Sequence, residues 1–307
     1  MPEYKVNVTR DENEHATRES SRVALVTAEI FPDLYEDDHP LRDALIKRGV
    51  TVDAVRWDDP AADWAAYDLA VLRSPWDYPG RHAAFIAWAR SVPRLANPAD
   101  VVEWNTDKHY LADLAAAGLP ITPTTFVEPG ERWHPPAPGE WVIKPTISAG
   151  SKDTGRYALP LDAAAAEAHA TRLTAAGRTA MIQPYLAAVD TAGETSVLCL
   201  PDPGGELTYS HAIRKGPLLT GTGERTGEYA EKITARTPTE AELEIARRAL
   251  TMVPGGADRL LYARVDVIPG PSGEPLLLEL ELTEPSLFLR FADGAADRLA
   301  AAIIARL

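Results

Sequence analysis

Two segments near the C-terminal end, residues 262–268 and 275–282, read as strands joined by Pro269-Gly270-Pro271-Ser272-Gly273-Glu274. Side chains alternate between the faces of a strand, so pairing the two segments about the centre of that turn leaves little freedom. Asp266 falls opposite Glu279 and Arg264 opposite Glu281, while Val265 faces Leu280 and Val267 faces Leu278. A slip of one residue would mix the apolar and charged faces, so the pattern itself selects the register. Three carboxylates on one face repel each other unless a cation sits among them. Mg2+ suits such a place, because it binds one or two protein carboxylates together with phosphate oxygens. From the hairpin alone, a solvated acidic face partly neutralised by Arg264 is the competing reading.

The lysines add to the first reading. The chain has only Lys5, Lys47, Lys108, Lys144, Lys152, Lys215 and Lys232, its other basic residues being arginine. Lys108 and Lys144 each adjoin a segment boundary, Lys144 at the end of an apolar strand just before Pro145. Ser148-Ala149-Gly150-Ser151-Lys152-Asp153-Thr154-Gly155 is a loop of small residues able to cover phosphates with backbone N–H groups. It lacks the Walker A spacing, and no GxGxxG follows the first strand. No Gly-x-Ser-x-Gly, HExxH or cysteine-based motif offers a covalent route.

Along the chain, residues 1–21 read as a disordered leader. A buried strand at 23–26, a helix over 37–48 stopping at Gly49, and strands at 51–56 and 68–73 predict an open α/β sheet with crossover helices. The third strand runs into Arg73-Ser74-Pro75-Trp76-Asp77-Tyr78-Pro79-Gly80, where ligands of open sheets tend to bind. That stretch reads equally as a substrate loop, with Arg73, Ser74, Trp76 and Tyr78, or as a turn around a packed tryptophan. A helix starting at residues 105–107 carries Lys108 in its first turn and ends at Gly118. Strands at 121–127, 141–145 and 180–183, with a helix at 161–176, predict a small α+β lid. Further strands, a helix over 239–252, the hairpin and a final helix complete the chain. The boundaries expected are 22–104 for the first α/β unit, 105–187 for the lid and 188–307 for the unit with the metal site.

A formal net charge of −14, with no long run of Lys or Arg, argues against nucleic-acid or anionic-membrane partners. No apolar run approaches the ~18 residues that span a bilayer. Cys199 is the only cysteine, which excludes intrachain disulfides. These features point to the cytoplasm. His211, beside Arg214 and Lys215, reads as a packing residue.

Taken in order, Lys108, Val142-Ile143-Lys144-Pro145, the small-residue loop, Ile182-Gln183-Pro184-Tyr185-Leu186, Arg264-Val265-Asp266-Val267 and Glu279-Leu280-Glu281-Leu282-Thr283-Glu284-Pro285 resemble the ATP-grasp superfamily. The likeness is to its glutathione-synthetase-like branch and runs from about residue 22 to the end. Within it, the strings at 73–78, 148–154 and 284–288 look like the O-ureido-D-serine cyclo-ligase group of D-cycloserine biosynthesis. The resemblance implies an open parallel-sheet N-terminal domain plus two α+β subdomains sandwiching ATP. It implies that Lys108 and Lys144 bind ATP phosphates, with Ser148, Gly150 and Ser151 closing over them. Gln183, Pro184, Tyr185 and Leu186 would hold adenine, through the Pro184 carbonyl and the Leu186 N–H. Asp190 or Glu194 would bind ribose. Asp266, Glu279 and Glu281 would hold Mg2+, Glu281 standing where an Asn is commoner. Arg214, Lys215 and Arg264 are the candidates to meet the transferred phosphate. The chemistry implied is phosphoryl transfer to a small carboxylate, then attack by an amine or aminooxy nitrogen. An intramolecular cyclo-ligase, an intermolecular carboxylate–amine ligase such as a dipeptide synthetase, and an inactive nucleotide-binding scaffold remain as readings. A homodimer is plausible by family analogy.

Overall fold

The computed structural model describes residues 20–225 and 232–307, so the leader expected over residues 1–21 lies, apart from its last two residues, outside the described part. The first unit is a four-stranded parallel sheet of order β2-β1-β3-β4, with β1 at Arg22–Thr27, β2 at Thr51–Arg56, β3 at Leu69–Ser74 and β4 at Leu95–Ala96. Val23, Ala24, Leu25 and Val26 are all buried, as a strand covered on both faces requires. Helix α1, His39–Ile46, lies between β1 and β2, and the chain turns beyond it at Gly49 with φ 82°. Two helices not foreseen in the sequence follow β3: α2, His82–Ser91, and α3, Ala99–Thr106. Phe85, Ile86 and Ala89 of α2 are buried, a short helical stripe within an alanine-rich run.

The helix expected to begin at Asn105 does not exist in that form. Asn105 lies in the last turn of α3, the backbone extends at Asp107 (φ −108°, ψ 116°), and α4 runs over Tyr110–Ala116. Lys108 therefore sits in the break between two helices. Its own N–H donates to the Thr146 carbonyl at 3.2 Å, which ties the break to the next unit. That unit is an antiparallel sheet of order β11-β7-β6-β8-β5, covered by α5, Ala163–Ala175. Its strands are β5 Thr125–Val127, β6 Gly139–Pro145, β7 Gly155–Leu159, β8 Ala180–Pro184 and β11 Gly223–Glu224. Since β11 pairs with Arg156 and Gly155, residues 188–307 are not confined to one unit.

The third sheet, order β12-β10-β9-β13-β14, is also antiparallel. It comprises β9 Glu194–Pro201, β10 Leu207–Lys215, β12 Ile233–Arg236, β13 Ala263–Pro269 and β14 Pro275–Glu281. Helix α7, Glu240–Thr251, starts in a capping box between Thr239 and Glu242 and packs Ile245, Ala246, Ala249 and Leu250 beneath it. The last helix, α8 at Ala295–Ile304, buries Leu299 and Ile303 in one core with Val23, Leu25 and Leu41 of the first unit.

The hairpin holds the expected register at Arg264↔Glu281, Val265↔Leu280 and Asp266↔Glu279. Beyond Asp266 a bulge intervenes, and Val267 pairs with Leu277, not Leu278. The extra residue reverses the parity of β14, so Leu278 and Glu279 both reach the cavity side while Leu277 stays in the core. The outer edge of β14 is closed by side chains. Asn105 donates to the Leu280 carbonyl and accepts from Leu282 N–H, both at 2.7 Å, and the Tyr110 hydroxyl joins Leu280 at 2.9 Å. Such closure satisfies backbone groups that burial would otherwise leave unpaired.

Arg73, at the end of β3, is wholly buried. Its guanidinium donates to Asp38 at 2.8 Å, to the Pro285 carbonyl at 2.7 Å and to the Leu72 carbonyl at 3.2 Å, joining the first sheet to the chain beyond β14. Removing one member of a buried ion pair leaves an uncompensated charge and costs about 3–5 kcal/mol. Arg73→Ala is expected to lose that much stability in denaturant unfolding, and a change under 1 kcal/mol (about the worth of an exposed pair) would refute the bridging role.

Candidate active site

A cavity of about 490 Å3 opens where the three sheets meet. Lys108, Lys144, Ser148, Gly150, Ser151, Gln183, Pro184, Tyr185 and Leu186 line it from the central unit. The third sheet contributes Glu194, Lys215, Arg264, Asp266, Glu279 and Glu281, and the first unit contributes Trp76 and Tyr78. Side chains spread over more than two hundred residues are thus brought together by the fold.

Both phosphate-candidate lysines converge on one carboxylate. Lys108 Nζ lies 3.1 Å from Glu279 Oε1 and Lys144 Nζ 3.8 Å from Glu279 Oε2, while Lys108 also reaches the Ser148 carbonyl at 3.3 Å. Burial works against the Lys108 ammonium, but Glu279 outweighs it and the pKa is raised. Lys144 is lowered by burial, with Glu279 opposing and the Lys108 charge adding to the fall. The loop beside them turns through left-handed backbone at Gly150, Ser151 and Asp153. It is anchored by Arg178 on Asp153 at 2.5 Å and by Arg225 on the Gly150 carbonyl at 3.0 Å.

Among the described residues, no group of three or more His, Cys, Asp or Glu side chains is placed to hold a metal by itself. The expected trio Asp266, Glu279 and Glu281 lines the cavity, yet cations stand between its members. Arg264 bonds Asp266 at 3.0 Å and also reaches Glu281, and Lys215 lies 2.9 Å from Asp266. Burial disfavours the Asp266 carboxylate, but Arg264 and Lys215 hold its pKa far below the usual range. Burial pushes Glu281 up to about 7 against the pull of Arg264, with Glu279 and Asp266 adding repulsion. Such a set fits Mg2+ in the open manner, with one or two carboxylates completed by phosphate oxygens.

The site also fits a nucleotide. Leu186, Ile268 and Leu276 form a small buried cluster flanked by Val189 and Leu278, an apolar wall beside the end of β8. The Leu186 N–H has no hydrogen-bond partner among the described residues. Thr154 Oγ1, in the cavity wall next to the loop, is buried without one. Glu194 lines the cavity and adjoins Lys215, and burial raises it to about 8 despite that lysine. Asp190 does not line it. Its carboxylate accepts from the Tyr185 hydroxyl at 2.5 Å, and the Tyr185 ring packs under Arg156 at 3.4 Å.

Three other candidates also fall outside the cavity. Arg214 donates to the Ala192 and Thr191 carbonyls at 2.6 and 2.8 Å, Ser74 is buried against Thr27 at 3.0 Å, and Arg73 serves the bridge described above. His211, on the Leu287 carbonyl at 2.9 Å, is a packing residue as its sequence context suggests. The reading from sequence missed Tyr35, Asn105, Thr106, Phe288 and Glu284, all of which line the cavity. Glu284, just past the hairpin, was visible only as part of an acidic string. Burial and the neighbouring Glu281 raise it to about 8, against the pull of Tyr78 and Lys108.

A parallel sheet and two antiparallel sheets enclosing a lysine- and carboxylate-lined cavity make an ATP-grasp ligase. ATP-grasp ligase PsnB, in complex with a precursor variant, Mg and ADP, has the same fold, with TM-score 0.60 at 19% identity over 94% of this chain and 98% of that one. The sequence model of the D-cycloserine synthetase DcsG N-terminal domain matches residues 23–97. Cycloserine biosynthesis protein DcsG of Streptomyces lavendulae is 38% identical over 300 residues, 93% of this chain and 98% of that protein. The crystal structure of D-cycloserine synthetase DcsG superposes with TM-score 0.79 at 35% identity, over 93% and 99% of the two chains. The chain belongs to the D-cycloserine synthetase family and is an ATP-dependent ligase of cycloserine biosynthesis.

Glu284 makes the site sensitive to pH. Its ordinary value is 4.5 and its folded value about 8, so between them the folded chain keeps a proton that the unfolded chain has lost. The stability it contributes is full below about pH 4.5 and is lost as the pH rises towards 8. Glu194 acts in the same direction, while His82, His169 and His211, lowered by burial, act oppositely. Glu284→Gln is therefore expected to remove part of any decline in denaturant midpoint from about pH 5 to pH 8. An unchanged profile would show that Glu284 titrates normally.

Proposed function

We propose that this ligase closes a ring within a single amino acid derivative such as O-ureidoserine, activating its carboxylate at the expense of ATP. The observation that supports this most is the meeting of two phosphate-candidate lysines, Arg264 and the hairpin carboxylates with a small aromatic-walled end formed by Tyr35, Trp76 and Tyr78. Likeness to cycloserine biosynthesis protein DcsG along nearly the whole chain supports the choice of substrate. ATP supplies the phosphoryl group that makes the carboxylate a good acyl donor, and Mg2+ neutralises phosphate charge.

The chain's own residues position and neutralise. Lys108 and Lys144, now shared by Glu279, are placed to take phosphate oxygens, and Ser148, Gly150 and Ser151 cover them. Asp266 with Glu279, and Glu281 behind Arg264, would hold Mg2+ jointly with those oxygens. Leu186 N–H and the apolar wall of Ile268 and Leu278 receive adenine, with Gln183, Pro184 and Tyr185 along its edge. Glu194, which lines the cavity, is the better placed of the two ribose candidates. Arg264 and Lys215 are the cations left to steady charge on the transferred phosphate. With acid and nucleophile on one molecule, the second step gains from proximity, worth up to ~7–11 kcal/mol in well-oriented reactions. The reading carries with it a cytoplasmic enzyme with a small carboxylate substrate and no nucleic-acid partner, on the charge of −14.

ADP release with Mg-ATP and O-ureidoserine as sole acceptor is the direct test. Turnover with this compound alone is expected, and turnover only after adding a second amine would make the enzyme an intermolecular ligase. Lys144→Ala is expected to weaken ATP binding about 100-fold, the usual scale for losing a buried charge-assisted bond. Unchanged affinity would remove Lys144 from the phosphate site.

A further inference from the structure

Among the described residues, five carboxylates line the cavity: Glu194, Asp266, Glu279, Glu281 and Glu284. Four of them have a cation at hand. Glu194 adjoins Lys215, Asp266 has Lys215 and Arg264, Glu279 has Lys108 and Lys144, and Glu281 has Arg264. Glu284 makes no ion pair with any described residue, although it faces the same enclosed space. A carboxylate kept from water without a positive partner is costly, so its setting calls for a cation from outside the chain.

The surroundings say what kind. The Tyr78 phenol lines the cavity on the same side as Glu284, and burial keeps it neutral. Trp76 donates its indole N–H to the Glu284 carbonyl at 3.0 Å, which sets the ring beside the same residue. Tyr35 packs on Trp76 with centroids 4.9 Å apart, and both rings line the cavity. One carboxylate, one phenol and aromatic faces suit an organic ammonium, which gains from an anion and from π faces together. They do not suit a hard divalent metal, which needs several oxygen ligands.

We propose that Glu284, with Tyr78 in the same wall and Trp76 and Tyr35 beside it, binds the free primary ammonium of the amino acid substrate. This deepens the ligase reading above and rests on it. The ammonium of an α-amino acid is two bonds from its carboxyl carbon, so anchoring it at Glu284 commits the carboxylate to a nearby position. Arg264 lines the same cavity, its guanidinium reaching Glu281 and the Ser286 carbonyl, the latter at 3.2 Å, and is the arginine offered to that carboxylate. Glu284 thus selects substrates with an unmodified amino group and sets the acid against the phosphate-binding end.

The test compares O-ureidoserine with its N-acetyl derivative in the native enzyme, in Glu284→Gln and in Tyr78→Phe. ADP release is followed and ATP binding is measured separately. The native enzyme is expected to favour the free ammonium by about 100-fold or more in kcat/KM, the scale of a lost buried charge pair. Glu284→Gln, which keeps the size and removes the charge, is expected to raise KM for O-ureidoserine about 100-fold, leave ATP affinity unchanged and shrink the preference to below about 5-fold. Tyr78→Phe is expected to lose about 10-fold while retaining the preference. Native-like KM and preference in Glu284→Gln, or native turnover of the N-acetyl compound at an equal rate, would overturn the proposal. Cyclisation that persists with Glu284 shown irrelevant leaves the ligase reading standing. A native requirement for a second amine, with ammonium preference lost in Glu284→Gln, removes ring closure and keeps the role of Glu284.

Discussion

The cavity depends on the mutual neutralisation of buried charges. Among the described residues, Lys108, Lys144, Lys215, Arg225 and Arg264 line it against the five carboxylates, so formal charges there sit near balance. Charges removed from water need such partners, because desolvation costs several kcal/mol per ion. The pairing is also provisional in its geometry. Glu279 holds the two lysines that a triphosphate would claim, one at 3.1 Å and the other at 3.8 Å. If phosphates took the lysines, as proposed, Glu279 would be left needing a cation, and a divalent metal at the same place would answer that need. Nucleotide and metal would then belong to one exchange of partners.

That exchange needs β14 to stay fixed while its side chains change partners. The strand is an edge of its sheet, yet Asn105, Tyr110 and the segment at Pro120 and Thr122 bond its outer backbone. Beyond it the chain is gripped again. Asn97 bonds the Tyr262 and Leu282 carbonyls at 3.0 and 2.7 Å, and Arg73 holds the Pro285 carbonyl. Residues of the first unit thereby set where Glu281 and Glu284 stand. Asn105 and Arg73 are buried polar groups held by several hydrogen bonds each, so both stabilise the fold around the cavity.

What the sequence made legible follows from period and spacing. The hairpin register could be read because alternation allows only one pairing that separates apolar from charged faces, and Arg264, Asp266, Glu279 and Glu281 fell where expected. The bulge could not be placed the same way, although Leu276-Leu277-Leu278 interrupts the alternation and is its trace. Lys108 was found through its rarity, but its break between two helices depends on a bond to Thr146 far along the chain. Arg73 and Trp76 show the limit. Both stand in one loop-like string, and only the packed structure sends Arg73 into the protein and Trp76 to the cavity wall. Glu284 was hidden for the same reason, since having no ion pair with any described residue is a property of three dimensions.

The unequal treatment of the acids then orders the site along the hairpin. Asp266, flanked by two cations, stays ionised at all ordinary pH, and Glu279 is held low by Lys108 and Lys144 against the cost of burial. Further along, Glu281 at about 7 shares one arginine with Asp266, and Glu284 at about 8 has none. Ionisation therefore falls off in the direction leading away from the lysines. A metal with phosphates at the first end and an ammonium at the other would complete the deficit at each place. On the proposal made above, a substrate that brings both a carboxylate and an ammonium would lie between them with its acid towards Arg264 and its amino group towards Glu284, so that the difference between the two ends of the site would set its direction.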